Sequence, residues 1–253
     1  MKLEHLSGSR ISTYEQCKLK YYATYEEELP KGEPHPLTNM GSAVHKMFEY
    51  ASLTHIGKGA CESFDPLWYK SAAVKEFDVL PEHLPLVDHL TQNALNWGYF
   101  RDMTGCVGVE VPVDFDLADG TKVVGFIDRL DVKTPTATVI DLKTQKRPFS
   151  PEDLARNWQA RIYNIGTRKL YPAVTGKVKV AFWVLRHQVQ PIWLTAEDAV
   201  IDEEALMKVA ADIKGCGVPE GTPSALCPWC PKHGQCKYEG EGRKARFKRM
   251  QSK

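Results

Sequence analysis

Apolar and polar residues alternate along "VGVEVPVDFDL" at 107–117, "KVVGFIDRLDV" at 122–132 and "ATVIDLKT" at 137–144. A period of two marks strands with unlike faces. The links "ADG" and "KTPT" are turn chemistry, so the three segments predict successive antiparallel strands. Upstream the period is helical. Ser12 and Glu15 stand at capping-box spacing in "RISTYEQCKLKYYATYEEEL" and predict a helix of about four turns. Pro30, Gly32, Pro34 and Pro36 then break the chain. "LTNMGSAVHKMFEYASL" predicts a second helix, capped by Thr38 or Asn39, with Val44, Met47, Phe48 and Ala51 as its apolar stripe. Residues 55–102 are mostly helical and irregular, clearest at Leu86, Leu90, Ala94 and Trp97, and are expected as a helical insertion over one side of a sheet.

Downstream, Ser150, Pro151 and Asp153 fit the N-cap, N1 and N3 positions of a helix. Its core face is Leu154, Trp158, Ile162 and Ile165, and Pro172 lies past its end. "KVKVAFWVLR" and "VQPIWLT" are further strands, and 197–214 is a last amphipathic helix. A strand, crossover helix and strand over 137–186 predict a parallel pair, hence a mixed sheet and an α/β class.

Composition narrows the function classes. A chain of 253 residues, 43% hydrophobic, supports one sizeable core, or a core with a small appendage. "MKLEHLSGSR" has no apolar leader core, and the longest apolar run, "VAFWVL", is too short to cross a bilayer. A soluble cytoplasmic protein without a membrane partner is expected. Net charge is only +1, so nucleic-acid binding requires local patches. "KTQKR" at 143–147 is one; the tail "GRKARFKRMQSK" at 242–253 is another, and equally reads as a solvated end. Seven cysteines without a secretion signal argue against a disulfide framework. Cys227, Cys230 and Cys236 form C-x2-C-x5-C, Cys17 lies near the other end, and Cys61, Cys106 and Cys216 are scattered. On spacing, four thiolates suit zinc and an iron-sulfur cluster equally, and uncommitted thiols are the third reading.

The stretch "VIDLKT" combines an acid and a base on one strand face: with Ile140 and Leu142 in a core, Asp141 and Lys143 share the other side. A turn centred between Thr134 and Pro135 pairs residues whose numbers sum to 269, which sets Asp128 opposite Asp141. Two facing carboxylates repel unless a cation lies between them. A slip of one residue would part them. On spacing alone His45 is a helical histidine beside an apolar stripe, and Gln159 and Tyr163, at i and i+4, are polar residues off the apolar face.

In this order "SGSRISTYEQCKLKYY", "GSAVH", "VGFIDRLDV", "VIDLKT", "QARIY" and "CPWCPKHGQC" resemble the RecB-like nucleases of the PD-(D/E)XK superfamily. More narrowly, they resemble the iron-sulfur exonucleases related to the CRISPR-associated adaptation nuclease and to phage recombination exonucleases. The resemblance runs from about residue 7 to 238 and leaves 55–102 unsupported. It implies a restriction-endonuclease-like mixed β-sheet core flanked by helices, in a single nuclease domain over 1–253. Within it fall N-terminal helices (1–54), the helical insertion (55–102), the nuclease core (107–214), a Cys-rich segment (215–240) joining the two chain ends, and the basic tail (241–253). It further implies that His45, Asp128, Asp141 and the carbonyl of Leu142 hold Mg²⁺ or Mn²⁺. Asp128, Asp141, Lys143, Gln159 and Tyr163 would form the catalytic set. Cys17, Cys227, Cys230 and Cys236 would bind a [4Fe-4S] cluster, with Zn²⁺ the alternative. Asp141 departs from the Glu of many relatives, which changes metal distance and not chemistry. The implied activity is metal-dependent DNA exonuclease action on single-stranded or duplex ends in phage or bacterial recombination and repair, with a single-strand annealing protein as a partner. A CRISPR adaptation nuclease trimming spacer precursors is a second reading. A non-catalytic metal-stapled DNA-binding module is a third, against which the intact His45, Asp128, Asp141 and Lys143 set argues.

Overall fold

The computed structural model describes residues 1–29, 36–57, 66–224, 227–238 and 240. The "GRKARFKRMQSK" tail, Cys61 and the Pro30 to Pro34 breakers lie outside them. By backbone proximity the chain falls into two compact units: Pro34–Phe115 with Val124–Glu203, and Met1–Glu33 with Asp116–Val123 and Glu204–Lys253.

The first of these holds a five-stranded sheet in the order β1 (Cys106–Asp116), β2 (Lys122–Lys133), β3 (Thr136–Lys143), β4 (Val178–Val184), β5 (Gln188–Leu194). β2 and β3 are antiparallel, β3 and β4 parallel, β4 and β5 antiparallel, so the sheet is mixed and flanked by helices, as the sequence predicts. The hairpin register is the expected one: Arg129 pairs with Ile140 and Leu130 with Val139, each summing to 269. Ile140 and Leu142 point into a core with Ala181 and Trp183, beneath helices α3 (Pro36–Leu53), α4 (Lys70–Glu76) and α5 (Leu84–Asn96). Val44, Met47, Phe48 and Ala51 are buried there, the predicted stripe. α3 begins two or three residues ahead of the predicted Thr38 or Asn39 cap, because Pro36 suits a first helical turn, where a missing N–H costs nothing. On α5 the buried set is Val87, Leu90, Thr91 and Ala94, so Leu86 and Trp97 sit at its margin.

The predicted crossover helix is two helices, α6 (Pro151–Ala155) and α7 (Trp158–Leu170). Ser150 caps the first as expected, its hydroxyl accepting the Asp153 amide at 3.1 Å. Asn157 interrupts: its side chain accepts the Ala160 amide at 3.1 Å and starts a new helix. α7 lies close on β1, where a Cβ added at Gly166 would sit 2.3 Å from Val113. After β5, Thr195 and Asp198 exchange capping hydrogen bonds at the start of α8 (Ala196–Gly215). Arg161–Asp202 (3.3 Å) and Lys169–Glu203 (2.9 Å) join that first part of α8 to α7.

In the other unit the predicted four-turn N-terminal helix is also two. Ser7, not Ser12, is the cap of α1 (Gly8–Gln16), accepting the Arg10 amide at 3.2 Å, so Ser12 falls inside the helix. Cys17 then turns to extended backbone, ends α1 and caps α2 (Lys18–Tyr25), its sulfur accepting the Lys20 amide at 3.4 Å. Tyr14 donates to the Asp212 carboxylate at 2.7 Å, and Leu6 bridges Val123. Leu6, Ile11, Tyr21, Leu206 and Ile213 are among the buried side chains of this unit.

Candidate active site and thiolate site

The β2–β3 ladder stops at Arg129 and Ile140, one step short of the two aspartates. There the Leu142 amide donates to Asp128 Oδ2 at 2.6 Å, a side chain taking the place of a backbone partner. The same oxygen lies 3.2 Å from His45 Nδ1 on α3, leaving Oδ1 without a partner among the described residues. Burial disfavours both charges, yet each holds the other: the pKa of His45 is raised and that of Asp128 lowered.

Asp141 and Lys143 share a face, as the strand period requires. Lys143 Nζ is 2.7 Å from Asp141 Oδ2 and donates to Gln159 Oε1 at 2.8 Å. The contact to Asp141 lacks hydrogen-bond angles, so this fully buried oxygen accepts no hydrogen bond. A buried carboxylate oxygen paired but under-coordinated is what a site for a further cation leaves behind. Burial pushes the Asp141 pKa up against the pull of Lys143, and Asp128 adds to the rise. Gln159 donates to the Tyr163 hydroxyl at 2.5 Å, and that hydroxyl lies beside the Phe126 carbonyl and, at 3.1 Å, Asp141 Oδ1. With one proton to donate, the hydroxyl serves one of the two at a time. Tyr163 is buried, unlike the polar surface residue its spacing alone implies. Lys143, Gln159, Tyr163 and Asp141 thus form a closed chain of contacts in which each fixes the next.

The sequence reading missed Glu110. His45, Glu110 and Asp128 each offer a ligand atom within 4.8 Å of the others. Glu110 sits mid-strand in β1 at φ 46°, the left-handed region that costs a non-glycine residue about 1 to 3 kcal/mol. Burial, then Asp128, raises its pKa. The strand alternation shifts phase there: Val113 and Phe115 are buried beyond it, while Val107 before it is exposed and Cys106 buried. A bulge at an acid inside a valine run is the signal that could have found it. The donors fit a divalent cation: one imidazole and two carboxylates converge, while Asp141, outside that group, pairs with Lys143 on the next strand. Leu142 lines the same cleft of about 790 Å³, as do Lys143, Thr144, Lys146 and Arg186.

The four predicted cysteines meet elsewhere. Cys17, Cys227, Cys230 and Cys236 line one small cavity with His233 and Tyr238. Cys17 Sγ accepts the Thr222 amide at 3.3 Å as well as that of Lys20, and Cys227 Sγ accepts the Ser224 amide at 3.3 Å. Burial raises the Cys230 thiol, and Cys17 and Cys236 raise it further. Amide hydrogen bonds on converging sulfurs fit thiolates bound to metal. Cys106 is buried in the sheet unit and Cys216 stands outside the set.

A sequence model of the PD-(D/E)XK nuclease superfamily matches residues 5–237. No curated protein sequence matches the chain. Among solved structures, one from Eubacterium rectale designated a "putative exonuclease" superposes with a TM-score of 0.57 at 16% identity, covering 92% of this chain and 88% of that one. The structure of SSO0001 covers 78% of this chain and 85% of its own at 16% identity, but its TM-score of 0.39 is too low to carry an argument. The first similarity supports the fold.

Proposed function

The chain belongs to the PD-(D/E)XK nuclease superfamily over residues 5–237, and from that premise we propose that it is a divalent-metal-dependent DNA exonuclease. The observation that carries the proposal is the convergence of His45, Glu110 and Asp128 in one cleft with Lys143, whose ammonium pairs with the buried Asp141 beneath it. Magnesium or manganese held there would supply water activation and neutralise phosphate charge. The chain's own residues do the rest. Asp128 and Asp141 would provide oxygens from adjacent strands, His45 and Glu110 would complete the donor set, and the resemblance adds the Leu142 carbonyl. Lys143 places an ammonium over the same ground, where it orients a water or stabilises charge growing on the phosphate. Gln159 holds that ammonium at 2.8 Å, and Tyr163 holds Gln159.

The cysteines are assigned to a [4Fe-4S] cluster. Their shared cavity supports a four-thiolate centre. Zinc and a cluster both take four thiolates, and it is the resemblance carried by the ordered motifs that favours the cluster. The resemblance suggests a role in recombination or repair, with trimming of CRISPR spacer precursors as the alternative that the sequence does not separate from it. The test is digestion of end-labelled linear single-stranded and duplex DNA, and of circular DNA, with and without Mn²⁺. Metal-dependent loss of linear substrate with the circle intact is expected; metal-independent cleavage, or none, overturns the assignment.

A further inference from the structure

Four cations line the cleft, and two of them are committed. Lys143 is held by Asp141 and Gln159, and Lys46 pairs with Glu49 at 2.9 Å. Arg186 and Lys146 are not. Arg186 follows β4 and donates through Nε to the Thr144 carbonyl at 2.9 Å. Its neighbours bind the same loop: the Leu185 amide donates to the Lys143 carbonyl at 2.9 Å, and the His187 ring lies 2.6 Å from the Lys146 carbonyl. The turn after β4 therefore staples "KTQK" over three carbonyls, which holds the backbone of Lys146 and anchors the Arg186 side chain beside the catalytic strand. The staple uses one of the five N–H donors of the guanidinium. Among the described residues nothing engages the two terminal nitrogens of Arg186 or the ammonium of Lys146.

We propose that Arg186, with Lys146, is the phosphate clamp of this cleft, and that it holds a backbone phosphodiester neighbouring the one that is cut. A planar fork anchored at Nε presents two parallel donors, the geometry that grips phosphate bidentately, whereas a lysine acts as a point charge. The clamp rests on the nuclease reading for its ligand and on the loop geometry for its existence. Arg186 is a positioning residue: it sets where the strand lies relative to Asp141 and Lys143 and does not touch the reacting atoms.

Two probes separate those supports. Without divalent metal, inorganic pyrophosphate is titrated calorimetrically and a fluorescent single-stranded oligonucleotide by anisotropy across a salt series. Wild type is expected to bind both. Arg186→Ala should weaken each by about tenfold, the loss of one charged hydrogen-bonded contact, and lower the salt slope for DNA by about one. Arg186→Lys should keep the slope but not the affinity. In Mn²⁺, Arg186→Ala should raise KM and leave kcat within about threefold. Should Arg186→Ala melt early, Arg186→Lys and Lys146→Ala decide, since both spare the charge or the staple. Unchanged pyrophosphate affinity in these variants overturns the clamp and leaves Arg186 a loop staple. Pyrophosphate binding through Arg186 without any DNA cleavage keeps the clamp and sinks the nuclease reading instead.

Discussion

At the residue scale the site stores unfavourable arrangements that a bound cation would relieve. Asp141 carries a raised pKa, so the folded state favours its neutral form, and stability is lost as pH climbs from the ordinary carboxylate value through the folded one. Asp141→Asn imitates the neutral form. Metal-free, it should melt at or above the wild-type temperature at neutral pH while cleavage disappears; a lower melting temperature would show that the Lys143 pair outweighs the desolvation. Glu110 and His45 are both raised as well, and their protons must leave before a cation is seated. Mn²⁺ affinity measured by titration should therefore climb as pH rises from above the ordinary carboxylate value to above the ordinary imidazole value. Glu110→Gly removes a ligand and also the left-handed strain at φ 46°. It should weaken Mn²⁺ binding by about tenfold or more without lowering the melting temperature, and undiminished binding would remove Glu110 from the donor set.

At the scale of elements, two close approaches set the active centre. His45 is brought to Asp128 by α3, and α3 can lie against the end of β3 because residue 41 has no side chain: a Cβ there would meet Thr144 Oγ1 at 2.9 Å. Gly41→Ala should thus move the helix by a few tenths of an ångström and cut cleavage, with a stability cost of about 1 to 3 kcal/mol. Adding Thr144→Ala should return part of the activity, and no recovery in single-turnover rates would show that the contact is not what positions His45. The hairpin was legible because its faces differ in polarity and its turn fixes one register, so Asp128 and Asp141 could be set opposite each other from residue numbers alone. Helix breaks were not legible. Both occur where a side chain caps a new helix inside a run whose apolar period continues, Cys17 in one case and Asn157 in the other, and periodicity is blind to a cap that leaves the stripe in phase. Glu110 escaped for the related reason that a bulge moves a residue between faces without altering composition.

At the scale of the whole molecule, the proposed chemistry and the proposed staple fall in separate units. The proposed catalytic residues belong to the sheet unit, and Cys17, Cys227, Cys230 and Cys236 to the unit built from both chain ends. Cys17 has two duties there. It divides α1 from α2, and its sulfur gathers the amides of Lys20 and Thr222, one from each distant stretch of chain. A metal group bonded to all four sulfurs would close a loop of most of the chain, and the entropy so removed from the unfolded state is about 5 kcal/mol for a loop of this length. Cys17→Ala and Cys230→Ala should then lose iron and visible absorbance, melt well below wild type, and lose cleavage only in step with fold. Lys143→Ala takes a charge from the cleft without opening a core; it should keep iron, absorbance and DNA affinity while kcat falls by about 10² or more. Iron content, melting curves and cleavage rates measured on the three variants together decide the matter. A stable, colourless Cys17→Ala that still cuts DNA would show that the thiolates do not hold the chain ends, and a stoichiometric zinc content in the wild type would replace the cluster with a single ion.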